Sequence, residues 1–196
     1  MSHLHLITHA HTQQIPTEDA AGWHLSAAGQ IQAQTLAQQP FWQRVSLVIL
    51  SSEPKTRLTV QPVLDRLALP VVVDARFDEL RRGGWSTDYT AQVAAAFAQP
   101  DLSVDGWEPA SDALARFLSG IADLASIAPP APHAEIALVG HGLTFSLYRA
   151  FLLGQDRVNL EDWRTLSFAA VAQVDLMTQT LVADFTPIAG DMPRSG

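Results

Sequence analysis

Short aliphatic runs of strand length alternate along this chain with segments of helical period, and that alternation restricts the fold more than any other feature of the sequence. The runs His3–Thr8, Leu47–Leu50, Val71–Val73 and Ile136–Val139 are rich in β-branched or aliphatic residues and read as strands. Two more, Ala170–Leu176 and Leu181–Phe185, flank Met177-Thr178-Gln179-Thr180 and predict a hairpin. Between them, Ser26 is placed to cap a helix through Gln38, and Lys55–Leu67 sets Leu58, Val63, Leu64 and Leu67 near one face. Leu114, Phe117, Leu118, Ile121 and Leu124 repeat that periodicity, and a fourth helix starts just after His141 with Leu143, Leu147, Phe151 and Leu152. Strands and helices in this order predict an α/β fold, a three-layer α/β/α sandwich around a mainly parallel sheet. The pattern does not contain the strand order.

A chain of 196 residues suits one domain, assigned to residues 1–186. The Pro-rich Ala128–Pro132 reads as a turn into the fourth strand, and Pro187–Gly196 as a mobile tail. With 47% hydrophobic and 16% charged residues the sequence supports an ordered core. A net charge of -8 argues against nucleic acid as a partner, because such binding relies on many Lys and Arg neutralising phosphates. The absence of cysteine excludes disulfides, thiolate metal sites and a Cys nucleophile. Neither a signal peptide nor a stretch of about 18 apolar residues is visible, so a cytoplasmic protein without a membrane partner is expected. The oligomeric state is not legible.

Open α/β sheets place their ligands at the carboxyl ends of strands, and three such ends are polar here. They read Thr8-His9-Ala10-His11-Thr12, Ser51-Ser52-Glu53-Pro54-Lys55 and Gly140-His141-Gly142. Two histidines and a cation near helix starts suit phosphoryl chemistry: imidazole is a competent nucleophile near neutral pH, and cations with aligned N–H groups stabilise phosphoryl oxygens. Taken alone, each histidine reads rather as a core or capping residue.

Taken together these segments resemble the histidine phosphatase (phosphoglycerate mutase-like) superfamily. Leu4–Thr12 is similar to the first strand and Arg-His-Gly signature. Leu25–Ala33 is similar to the Leu-Thr/Ser-x-x-Gly-x-x-Gln-Ala segment, and Ser52–Lys55 with Thr59 to the variant second motif that has Lys in place of Arg. Val73–Leu80 with Gly83 and Trp85 resembles the segment that supplies the acid, and Leu138–Gly142 the second-histidine motif. The resemblance implies that His9 is the nucleophile forming a phosphohistidine, that Glu79 protonates the leaving oxygen and then assists water, and that His141 and Lys55 hold phosphoryl oxygens. Thr8 and Arg57 are further candidate phosphate-binding residues. It implies a small phosphorylated substrate, no cofactor and no metal.

This sequence departs from the signature at Thr8, where a forked, charged donor is replaced by a hydroxyl, and at Ala10, which stands for Gly. Arg57, Arg81, Arg82, His11 and His24 could supply the missing charge. Hydrolysis is the favoured reading, with a slow phosphatase expected. A member that binds a phosphorylated ligand without turnover and a mutase-type phosphotransferase stay open, and His9-Ala10-His11 leaves a metal hydrolase as a weaker rival.

Overall fold

The computed structural model describes residues 3–82, 84–127 and 135–188. Six strands form one sheet: β1 (His3–Thr8), β2 (Val45–Leu50), β3 (Val71–Val73), β4 (Glu135–Gly140), β5 (Val171–Asp175) and β6 (Thr180–Thr186), in the spatial order β3-β2-β4-β1-β5-β6. The first four run parallel, and β5 and β6 add an antiparallel hairpin at one side. Helices α1 (Ala27–Leu36), α2 (Pro54–Leu67), α3 (Tyr89–Ala98), α4 (Ala110–Ile127), α5 (Gly142–Leu152) and α6 (Leu160–Thr165) complete the chain.

The two-residue period of the strands divides the core into layers. Ile7, Val48, Leu50, Ala137 and Val139 pack with Leu36, Val60 and Val63 of α1 and α2. The alternate residues Leu4, Leu6, Ile49, Ile136 and Leu138 pack on the opposite face with Phe117, Ile121, Phe145 and Tyr148 of α4 and α5. Burial on both faces explains why β4 reads as a nearly continuous apolar run from Ile136 to Val139. A third cluster, containing Val93, Phe97, Trp107, Leu147 and Trp163, fastens α3 and α6 against α5. These two helices were not resolved by the sequence reading. Asp88 and Asn159 cap them, each accepting a backbone N–H.

The parallel architecture brings the carboxyl ends of β1, β2, β3 and β4 to one edge of the sheet, so the motifs converge although they lie far apart in sequence. The expected turn at Ala128–Pro132 lies outside the described residues. Ile188 is buried against the first core cluster, so the part of the expected tail that is described packs on the domain; residues 189–196 lie outside the described range. No helix among the described residues is long and apolar enough to cross a membrane.

Candidate active site

His9 follows the last residue of β1. Its backbone N–H donates to Gly140 O at 2.9 Å, joining the ends of β1 and β4, and its Nδ1 lies 2.8 Å from Ala10 O. A carbonyl can only accept, so Nδ1 carries a proton and, in the neutral ring, Nε2 holds the lone pair. The following residues are held by two of the motifs. Ala10 N–H donates to Thr59 Oγ1 at 2.8 Å, and His11 N–H donates to Gln32 Oε1 at 2.8 Å. Ser26 caps α1 through Gly29 N–H, and its own N–H donates to His11 O. A Cβ on Gly29 would stand 2.0 Å from His11 O, so only glycine lets α1 approach this closely. The Leu-Ser-x-x-Gly-x-x-Gln segment is therefore a cradle for the chain just after His9.

His141 is the N-cap residue of α5, wholly buried, with its ring centroid 5.3 Å from that of His9. Its Nε2 lies 2.7 Å from Ser51 Oγ and 3.5 Å from Glu53 Oε1, while Nδ1 has no hydrogen-bond partner among the described residues. Burial pushes its pKa down to about 3; the Glu79 carboxylate opposes this, and the positive charges of Lys55, Arg82 and Arg116 add to it. His141 is thus neutral near pH 7.

Glu79 reaches the same helix start. Oε1 accepts from Leu80 N–H at 3.0 Å and Thr144 N–H at 3.1 Å, and Oε2 accepts from Leu143 N–H at 3.1 Å. Since the His141 side chain makes no cap, this carboxylate satisfies the first-turn donors of α5. The backbone leading to it is fixed from α4: Arg116 donates to the carbonyls of Arg76, Asp78 and Glu79 while pairing with Glu108. Asp78 also accepts from Ser52 N–H at 2.6 Å and Ser52 Oγ at 2.7 Å, tying this loop to the end of β2. Sequence reasoning did not single out Arg116, because a lone Arg in an amphipathic helix reads as solvent-facing.

Lys55 stands in the first turn of α2, buried, where a cation opposes the helix dipole. Its Nζ donates to Glu53 Oε2 at 2.5 Å and to Ala20 O at 2.6 Å. The other Glu53 oxygen accepts Glu79 N–H at 2.8 Å. Glu53 thus offsets the charge of Lys55, a pairing that the two-residue spacing contains but that was not drawn from it.

His9, Lys55, Glu79 and His141 line one cavity of about 740 Å³. Its other walls carry Trp23, Trp85, Tyr89, Trp163 and Phe168, together with Arg82 and Arg164. Two of the proposed phosphate-binding residues are placed elsewhere. The Thr8 hydroxyl donates to Ser167 O at 2.8 Å and accepts from Ala170 N–H at 2.9 Å, in a wholly buried position that is not part of the cavity wall. A short polar side chain at this point is used to join β1 to the segment entering β5. Arg57 is exposed on α2 and is not part of the wall. Among the cations considered as replacements for the signature arginine, Arg82 is the one that lines the cavity; its guanidinium lies 5.1 Å from the Tyr89 ring centroid. Among the described residues, no three His, Asp or Glu side chains form a group fit for a metal ion.

The sequence model of the histidine phosphatase superfamily, branch 1, matches residues 4–184. The chain belongs to this superfamily. As a histidine phosphatase superfamily member, it has a fold similar to that of mycobacterial glucosyl-3-phosphoglycerate phosphatase in complex with VO3, at 20% identity and a TM-score of 0.77, covering 96% of this chain and 100% of that one. It is also similar to Bacillus stearothermophilus YhfR, at 16% identity and a TM-score of 0.78 over 98% of each chain. Entamoeba histolytica phosphoserine phosphatase in complex with 3-phosphoglyceric acid is similar at 17% identity and a TM-score of 0.70, over 95% of this chain and 97% of that one. Among curated protein sequences none matches this one.

Proposed function

We propose that this superfamily member is a phosphomonoester hydrolase acting through a phosphohistidine at His9, on a small phosphorylated molecule in the cytoplasm. The observation that carries this reading is the lock of His9 Nδ1 onto Ala10 O, which fixes the tautomer whose Nε2 is nucleophilic, in a ring facing His141 across the cavity floor. Nε2 attacks phosphorus, the P–N bond forms as the P–O bond to the alcohol breaks, and Glu79 gives a proton to the departing oxygen. Of its two oxygens, Oε2 takes one N–H donor against two on Oε1, which leaves room there for that proton. Water then attacks the phosphohistidine, Glu79 takes the proton, and inorganic phosphate and His9 are released.

The short contact from Ser51 Oγ to His141 Nε2 is best read as Ser51 donating, which leaves the proton of the neutral imidazole on Nδ1. That otherwise unpartnered N–H would be satisfied by a phosphoryl oxygen. Arg82 supplies the charge that position 8 lacks. The engagement of Lys55 by Glu53 favours a second reading, in which the pocket binds a phosphorylated ligand with little turnover. Wild type and His9→Ala should be compared on generic phosphomonoesters, with acid-labile phosphate on the protein as a second readout. Turnover and label on wild type alone support the hydrolase; equal turnover by both refutes His9 as nucleophile; binding without turnover or label supports the second reading. Release of phosphate to water rather than to a second alcohol separates hydrolase from mutase.

A further inference from the structure

The four polar groups at the sheet edge account for only one end of the cavity. A phosphoryl group held between His9 and His141 leaves most of the roughly 740 Å³ to the alcohol part of the substrate, a volume in the range of pockets that enclose whole organic ligands. The rest of the wall is aromatic and comes from separate parts of the chain. Phe168 begins it, 5.6 Å from His9 between ring centroids. Tyr89 and Trp163 form one edge-on pair at 5.9 Å, and Trp23 and Trp85 a second pair at 6.1 Å. Trp85 is half exposed, so its ring offers open aromatic surface on the cavity wall.

Charge on this wall bears on what that partner is. Glu18, Asp19 and Asp88 line the cavity, and against them stand Arg82 and Arg164, the latter paired with Glu161 at 2.5 Å. An alcohol part bearing its own carboxylate or second phosphate would meet more negative than positive charge, in a protein whose net charge is already -8. We infer that the substrates of this site are phosphomonoesters of an uncharged, flat aromatic alcohol, whose ring is received between the two aromatic pairs. The inference rests on the hydrolase reading for the position of the phosphoryl group.

The test uses wild-type protein and phosphonates, whose C–P bond the proposed chemistry does not cleave, so that binding is read apart from turnover. Methylphosphonate, naphthylmethylphosphonate and phosphonoacetate are titrated by calorimetry and by tryptophan fluorescence. Naphthylmethylphosphonate is expected to bind at least tenfold more tightly than either of the others, and Trp85→Ala to reduce that ratio severalfold. Equal binding of the methyl and naphthylmethyl compounds, or tighter binding of phosphonoacetate, overturns the inference and leaves the hydrolase reading intact. A preserved aromatic preference in a protein that turns over no phosphomonoester retains the aromatic site and overturns the hydrolase reading. Failure of all three to bind overturns both.

Discussion

Replacing Thr8 with valine keeps the branched shape at the end of β1 and removes only the hydroxyl that bridges Ser167 O and Ala170 N–H. Ser167 and Ala170 are buried, so both backbone groups lose their partner in a place that water does not reach. An unsatisfied buried group costs about 1–3 kcal/mol, which for the pair gives a loss on the order of 2–6 kcal/mol. A domain of this length moves by roughly 2–4 °C per kcal/mol, so Tm should fall on the order of 10 °C. Urea unfolding followed by circular dichroism should give a lower midpoint with an unchanged slope. Phosphate affinity, measured by calorimetry on the folded variant well below its Tm, should stay within about twofold, because charge-assisted contacts to phosphate come from elsewhere. Unchanged stability together with a tenfold loss of phosphate affinity would place the hydroxyl in the phosphate site and refute the bridging role. On the same reasoning Thr8→Arg does not restore the signature: its side chain enters a position with no accessible surface, and the variant should be less stable than wild type, not more active.

Gly29→Ala forces a methyl group into His11 O and should cost about 1–3 kcal/mol and much of the turnover, whereas Gly22→Ala, with nothing within 4 Å of the added carbon, should be nearly neutral in the same melting and rate assays. Glu79→Gln should slow alkyl phosphates more than nitrophenyl phosphate, since a good leaving group needs little protonation; equal losses in kcat/KM would remove Glu79 as the acid. Arg82→Ala should weaken inorganic phosphate binding roughly tenfold, and unaltered affinity by calorimetry would show that the charge missing at position 8 is not supplied there. Because the pKa of His141 falls from 6.5 to about 3 on folding, its contribution to stability is complete above pH 6.5 and is lost as pH falls towards 3, about 2 kcal/mol of it by pH 5. Burial of His5 acts in the same direction. Urea midpoints between pH 7.5 and 5 should follow this slope, and His141→Gln should flatten it; a slope identical to wild type would deny His141 the role.

What the sequence made legible was what depends on local period and on motif spacing. The strands, four of the helices, the β5–β6 hairpin and the positions of His9, Lys55, Glu79 and His141 around one cavity agree with that reading. Two classes of feature escaped it. The direction of a side chain at a strand end is set by what packs beside it, so Thr8 could be judged from sequence only by the residue it replaces, and its turn towards Ser167 and Ala170 needed the β1–β5 contact. The aromatic wall joins residues from position 23 to position 168, and no window of the chain shows more than a fragment of it. Helix α6 escaped for a different reason: six residues, fewer than two turns, give periodicity too little length to show.

The placement of Arg82 links the aromatic wall to the chemistry. The signature arginine would have stood on a strand end, held by the sheet, whereas Arg82 stands on the loop between Glu79 and α3. That loop is clamped as far as Arg81, by Arg116, by the Ser52–Asp78 pair and by two hydrogen bonds between Arg81 and Glu108. Beyond Arg82, Gly84 adopts a positive φ of 135° and Trp85 is half exposed. Lys55 is offset by Glu53 and His141 is neutral, while Arg82 has no carboxylate in ion-pair contact among the described residues. Its position is bound to Tyr89, over whose ring its guanidinium lies, and Tyr89 belongs to the wall. On the proposed reading, a ring seated against Tyr89 and Trp85 therefore fixes the same loop segment that brings Arg82 to the phosphoryl oxygens. Interactions remote from phosphorus then stabilise the transition state by ordering a charge, which raises kcat as well as lowering KM. A small phosphomonoester that does not reach the wall loses both effects, so a comparison of kcat between ethyl and naphthylmethyl phosphate, whose leaving alcohols are similarly poor, should favour the aromatic ester in wild type and lose that preference in Arg82→Ala. A preference confined to KM would show that the wall binds substrate without ordering the charge.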